Sequence, residues 1–372
     1  MIGQSTAPAA DLLETLRRVH GASGRAWLAP EARVLFIQVN KNACTSLKWM
    51  MAGLAGEDLD GFRPGLWPCS NPHDAIHDRR SWKKSPKLED LTPARRAEIH
   101  PDNGWFVFAV TRDPRSRLFS AWQNKLLVEN PGYTHYRDQS WYPRHPLTAE
   151  TVVEDFARFV DLLLTDPDHR IQGDPHFTNQ AGMLPESLRY SGIYDIKEFK
   201  RLRADLEAHL AAVGWAGELW LPNMNDTPLR TNAAPFANGV RERVEQIYAA
   251  DFARFGDKWD FATIEAAPDW TDTELEHAEL MAVAGRRIGD VRNLAIEFRA
   301  SATSQRRRAS DQKKRADALE VEAESQRARA DALQRQVDEL TERRDLGTAT
   351  RARFGRIAAG ARRRLGPDTV RK

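Results

Sequence analysis

The sequence predicts an α/β fold: a central, mainly parallel sheet flanked by helices, followed by a helical, coiled-coil C-terminal extension. Three observations predict it. Residues 33–39 and 105–110 are short, largely apolar runs rich in β-branched and aromatic side chains, in the manner of strands buried on both faces. Each run gives way to a polar loop and then to helical periodicity, which is the alternation of a parallel sheet. Beyond residue 300 the chain becomes rich in Arg, Ala, Glu and Gln and repeats small or apolar residues every three and four positions.

Taken in order, residues 1–20 read as a short amphipathic helix. The run 33–39 is the first strand, 40–44 a loop, and 45–54 a helix. Residues 57–90 hold many Pro, Gly, Asp and His residues and read as a long surface loop. The second strand, 105–110, turns at Thr111-Arg-Asp-Pro114 into a helix over 115–128, with Asp113 as N-cap and Pro114 at the first helical position. Residues 130–146 form another loop. Thr148 caps a helix to about residue 164, residues 190–194 form a short strand, and helices follow over 197–210 and 238–255. Ala316, Leu319, Ala323, Gln326, Ala330, Leu333, Val337 and Leu340 form an Ala-rich heptad seam, and Arg315-Ala-Asp-Ala-Leu319 recurs as Arg329-Ala-Asp-Ala-Leu333. The expected organisation is an N-terminal helical segment (1–30), an α/β domain (31–265), a helical extension (266–305), a coiled coil (306–345) and a basic tail (346–372).

Charge is unevenly spread. The formal net charge is +2, but 19 basic residues face 11 acidic ones from Ser301 onward, against 36 and 42 before it. The basic tail therefore suits an anionic partner. Cys44 and Cys69 fit neither a disulfide framework nor a zinc site. No run approaches a membrane span and the N-terminus lacks the form of a signal peptide, so a cytoplasmic chain, peripheral to a membrane at most, is expected.

The two strand–loop–helix junctions carry the chemistry. Ligands of α/β sheets sit beyond the carboxyl ends of the strands, where helix N-termini present free N–H groups to anions. Lys41 lies in the first loop, with Thr45 and Ser46 opening the helix. Arg112 lies at the second, with Ser120 eight residues on. Taken singly, Lys41 could be a solvated loop lysine, and Arg112 could be ion-paired to Asp113 or Glu129.

Together they resemble a known family. Val39-Asn-Lys-Asn-Ala-Cys-Thr-Ser-Leu-Lys48 resembles the 5′-phosphosulfate loop of the carbohydrate (family 2) sulfotransferases. Val110-Thr-Arg-Asp-Pro-Arg-Ser-Arg-Leu-Phe-Ser-Ala-Trp122 resembles their 3′-phosphate segment. Similar blocks follow in order: Asp174-Pro-His-Phe-Thr-Asn-Gln180, Ile193-Tyr-Asp195, Leu221-Pro-Asn-Met-Asn-Asp-Thr-Pro228 and Ile247-Tyr-Ala-Ala-Asp-Phe-Ala-Arg-Phe-Gly256. Asn40 departs from the proline usual before the lysine. The resemblance covers about residues 33–257. It implies a P-loop-like fold and 3′-phosphoadenosine 5′-phosphosulfate (PAPS) as donor, with no metal. It implies Lys41, Asn42, Cys44, Thr45, Ser46, Arg112 and Ser120 as donor-binding residues, with Lys41 also stabilising the leaving phosphate. A carbohydrate or glycolipid hydroxyl is the implied acceptor.

Such a hydroxyl needs a general base, and His suits neutral pH. His77 and His176 are the candidates, with His73 behind them. The alternatives are a P-loop NTPase, for which the first loop lacks glycines, and a non-catalytic nucleotide-binding or interaction protein that uses the coiled coil. Partners other than the acceptor are expected to be a second copy through the seam and an anionic membrane surface through the tail, where Phe354, Ile357 and Leu365 interleave with arginines. Nucleic acid is not expected.

Overall fold

The computed structural model describes residues 11–20, 25–63, 72–166, 168–224 and 227–364. Residues 1–10 of the expected first helix, Cys69, Asn225 and Asp226, and the tail's Leu365 lie outside the described residues. The chain divides into two units, residues 1–294 and 295–372.

In the first unit, α1 (Leu12–His20) precedes β1 (Ala26–Ala29) and β2 (Val34–Ile37), and α2 is Cys44–Leu54. A series of 3₁₀ turns and α3 (Pro93–Ala97) leads to β3 (Phe106–Thr111) and α4 (Pro114–Trp122). Then come α5 (Ala149–Thr165), β4 (Gly192–Asp195), α6 (Phe199–Ala212), α7 (Val240–Ile247), α8 (Ala249–Phe255) and α9 (Ala262–Glu265). The last helix, α10, is Asp272–Arg364; it begins in the first unit and makes up the described part of the second.

The described strands form one sheet in the order β1-β2-β3-β4. β2, β3 and β4 are parallel, and β1 adds to β2 as an antiparallel edge. β2 and β3 are buried at every position, which is why they read as unbroken apolar runs. Alternation divides their side chains between two cores. Phe36, Phe106, Phe108 and Val110 pack with Met50 and Leu54 of α2 and with Leu202 and Leu206 of α6. Leu35, Ile37, Val107 and Ala109 pack on the other face with Leu12 and Leu16 of α1 and Phe255 of α8. A third core joins Phe119 and Trp122 of α4 to Phe156 and Phe159 of α5 and Val244 of α7. Each such side chain contributes roughly 1.5–3 kcal/mol on burial.

Four expectations are corrected. Residues 26–29, taken as part of a helical segment, are strand β1, tied down where the Trp27 indole N–H donates to Gln38 Oε1 at 3.0 Å. The described part of 57–90 is a chain of short 3₁₀ turns, held where Glu57 accepts the backbone N–H groups of Lys83, Lys84 and Ser85. The helix expected over 115–128 is α-helical to Trp122 and then widens into a π turn, Gln123–Leu127. The helix expected over 238–255 is two helices, α7 and α8, meeting at Tyr248.

Candidate active site

Both strand–loop–helix junctions open on one cavity of about 780 Å³. Its first wall is the loop from β2 to α2. Lys41 (φ 69°) and Ala43 (φ 54°) adopt left-handed backbone conformations without being glycine, at a cost of about 1–2 kcal/mol each. Left-handed residues in a tight loop are the geometry of an anion-binding concavity. Ala43 is also the N-cap of α2. It has no side chain to cap with, and no acidic residue stands in the first turn. The leading N–H groups of α2 thus keep their capacity for an anion.

The strain is held in place by contacts from distant segments. The Asn42 amide donates to Val110 O at 2.8 Å and to Gln180 Oε1 at 2.6 Å. Gln180 in turn accepts from the Arg112 backbone N–H at 3.0 Å and donates to Arg112 O at 2.7 Å and to Asp251. Arg117, fully buried, donates to the carbonyls of Asn40, Pro175 and Thr178 at 2.9, 3.1 and 2.8 Å. One guanidinium therefore ties the first loop to the segment that carries His176.

Arg112 leaves the end of β3 as expected, but neither proposed ion pair forms. Asp113 caps α4 and pairs with Arg115 at 2.7 Å, while Glu129 pairs with Arg137 and Arg286. The Arg112 guanidinium instead donates to Ser116 Oγ at 3.0 Å and to Lys41 O at 3.4 Å, and lines the cavity. Ser120, two turns into α4, is buried on the same wall. Lys41, Cys44, Thr45 and Ser46 also line it, whereas Asn42 acts from behind through Gln180.

Among the described residues the cavity lining holds seven basic side chains and one carboxylate, Asp74. Lys48 and Lys125 belong to this set. The π turn faces Lys125 inward, and Lys48 sits one turn along α2 from Thr45. Burial drives the Lys41 ammonium down to about 7, helped by repulsion from Lys125. Burial likewise holds Lys48 at about 8 and Arg112 at about 10. These cations are desolvated together and short of counter-charge, the condition of a site awaiting a polyanion.

The two histidines differ in kind. His77 is engaged at both ring nitrogens: Nδ1 lies 2.7 Å from Lys48 Nζ and Nε2 3.0 Å from Thr45 Oγ1. A lysine donor at Nδ1 leaves the ring proton on Nε2, where Thr45 accepts it. His176 Nδ1 lies 2.6 Å from Asp174 Oδ1 and 3.2 Å from the Tyr133 hydroxyl. The carboxylate holds the proton on Nδ1, so Nε2 carries a lone pair at the cavity wall. Tyr133 also donates to the other oxygen of Asp174. Burial, then repulsion from Lys125, lowers His176 to about 3 against the pull of Asp174, so the ring is neutral. Burial pushes the Asp174 carboxyl up, but the hydrogen bonds from His176 and Tyr133 outweigh it and keep it ionised. His73 is exposed and does not line the cavity.

Sequence reasoning missed Lys48, Tyr133, Lys125, Arg117 and Gln180. Lys48 and Arg117 stood inside quoted motifs, and Gln180 ended one. Lys125 and Tyr133 carried no signal of their own.

Fold and cavity together define an α/β protein with a cation-lined cavity beyond the ends of its parallel strands, a place and a charge suited to a polyanion. A family model described as Sulfotransferase family matches residues 24–257, more than half the chain; the chain belongs to that family, whose chemistry is sulfuryl transfer. Comparison with curated proteins and with solved structures gives no match.

Proposed function

We propose that the chain transfers a sulfuryl group from PAPS to a carbohydrate hydroxyl, with His176 as general base. The observation that carries this reading is the cavity in which seven cations face one carboxylate while the Asp174–His176 pair opens on the same space. Residues fit the donor at both ends. Lys41, Thr45, Ser46 and the N-terminus of α2 would hold the 5′-phosphosulfate, and Arg112, Ser116 and Ser120 the 3′-phosphate. The donor supplies an activated sulfuryl group. The chain's own work is positioning and charge stabilisation. Lys41 and Lys48 neutralise negative charge that develops on the 5′ side, and His77 holds Lys48 and Thr45 in register. His176 Nε2 takes the acceptor proton, and Asp174 stabilises the imidazolium that results.

The test is a radiolabelled-sulfate transfer screen over polysaccharides, glycolipids and simple glycosides, paired with melting curves in the presence of 3′-phosphoadenosine 5′-phosphate (PAP) and of ATP. Stabilisation by PAP and not ATP is expected. Equal stabilisation by ATP, or no transfer to any sugar, refutes the donor or the acceptor class respectively.

A second role is proposed for the C-terminal unit. Residues 296–360 are exposed on every side of the helix, and Leu319, Leu333 and Leu340 are each more than 60% exposed along the heptad seam. Pairing of two copies would cover that seam. The arginines around Phe354 and Ile357 would then be presented twice to an anionic membrane surface, where weak contacts add. These interactions and a cytoplasmic setting are proposals; no described helix is long and apolar enough to cross a membrane.

A further inference from the structure

The family match ends at residue 257, yet the chain that follows returns to the proposed base. The fourth and fifth turns of α10 lie against residues 128–134. At Gly285 a Cβ would stand 2.2 Å from Val128 O and 2.8 Å from Glu129 O. At Gly289, one turn on, it would stand 2.8 Å from Thr134 Cγ2. Both glycines are buried, and only glycine lets the helix approach the loop so closely.

Ion pairs flank this seam. Glu129, buried and held at φ 49°, accepts from Arg286 at 2.5 and 3.0 Å and from Arg137 at 2.6 Å. Arg137 also pairs with Asp290 of α10 at 2.8 Å. Arg292 donates to Pro131 O at 3.3 Å. Tyr133 lies in the middle of the loop so clamped, and its hydroxyl reaches Asp174 and His176. Contact is therefore continuous from α10 through residues 128–137 and Tyr133 to Asp174 and His176.

We infer that the start of α10, through Gly285, Arg286 and Gly289, is a positioning element for the Asp174–His176 pair, so that a segment outside the matched family domain completes the active site. The inference rests on the reading of His176 as base. A wedge at Gly285 lifts residues 128–134, withdraws the Tyr133 hydroxyl from Asp174, and frees the carboxylate to turn. The imidazole then loses its preference for the Nδ1–H tautomer.

The test uses the full chain, ¹⁵N-labelled at histidine, at pH 7.5. His176→Ala assigns the signal. Gly285→Val and the milder Arg286→Gln are compared with Tyr133→Phe. Each should lower the ratio of Nδ1–H to Nε2–H tautomer at His176 by about fivefold, the effect of one lost neutral hydrogen bond. PAP affinity should stay within about twofold, because the anion loops are untouched. Gly285→Val combined with Tyr133→Phe should shift the ratio no further than either alone. An unchanged tautomer ratio in Gly285→Val that still binds PAP overturns the inference. So does a shifted ratio accompanied by weakened PAP binding, which marks general loosening. If Gly285→Val does not fold, Arg286→Gln decides by the same criteria. Failure of the base assignment shows separately, as sulfate transfer that survives His176→Ala.

Discussion

Donor binding should be coupled to proton uptake, with a size set by the cavity's lysines. Lys41 and Lys48 titrate at about 7 and about 8, below their ordinary value of 10.5, because burial disfavours their charged forms. A bound polyanion favours the charged forms and raises both values, so protons are taken up on binding. If both return to the ordinary range, uptake is roughly half a proton at pH 7 and about 1.7 at pH 8.5. The phosphates of PAP lose their second protons near pH 6, so above pH 7 they add little of the opposite sign. Because affinity falls with pH by the number of protons taken up, PAP should bind about tenfold more weakly at pH 8 than at pH 7. Titration calorimetry in two buffers of different ionisation enthalpy measures the uptake directly. Lys41→Met should remove the larger share near pH 7. An enthalpy independent of buffer from pH 7 to 8.5 would show that the lysines do not face the ligand, and the site assignment would fall.

Four further outcomes are expected. Arg112→Ala should weaken PAP binding by about 2–3 kcal/mol, the loss of charge-assisted contacts to one phosphate; unchanged affinity in a calorimetric titration refutes its placement. His176→Ala should slow sulfate transfer about 10²–10⁴-fold at unchanged PAP affinity. His77→Ala should act chiefly on PAP affinity, since its ring bridges Lys48 and Thr45, and the reverse pattern in steady-state kinetics would exchange the two roles. Truncation after Ala300 should leave PAP binding intact, change the mass seen by light scattering from that of two chains to that of one, and weaken binding to anionic vesicles at low salt. The same number of chains per particle before and after truncation, with unchanged vesicle affinity, would exclude the proposed role of the C-terminal unit.

What the sequence revealed was local. β2 and β3 were legible because each is buried on both faces and so reads as one apolar run. Lys41 and Arg112 were legible because each stands where such a run stops. β1 was not, since four residues of an edge strand carry no periodicity and Trp27 owes its place to Gln38. Lys125 was hidden by the π turn, which rotates it away from the direction an unbroken α-helix would give. The choice between His77 and His176 was also out of reach. His77 stands in the loop between the two anion motifs and His176 in a later block, and only tertiary contact shows that one meets a lysine and the other a carboxylate.

That contrast also explains why the anion loop needs the rest of the domain. Asn40-Lys-Asn-Ala43 contains no glycine, so its left-handed residues resist this loop shape. The shape is kept by Asn42, Gln180 and Arg117, which are buried and bonded to backbone groups from three separate stretches of chain. A buried guanidinium with only carbonyl partners within bonding distance costs desolvation free energy and adds little to stability. Its use is in precision. Arg117 binds Asn40 in the proposed donor loop and Pro175 and Thr178 on either side of His176, so the distance between that loop and the proposed base is held by one rigid, planar group. In-line transfer depends on that distance, because reacting atoms displaced by an ångström lose about two orders of magnitude in rate. The glycine seam of α10 reaches the proposed base through Tyr133. Contacts from Arg117 within the family domain and from α10 outside it thus converge on the same imidazole.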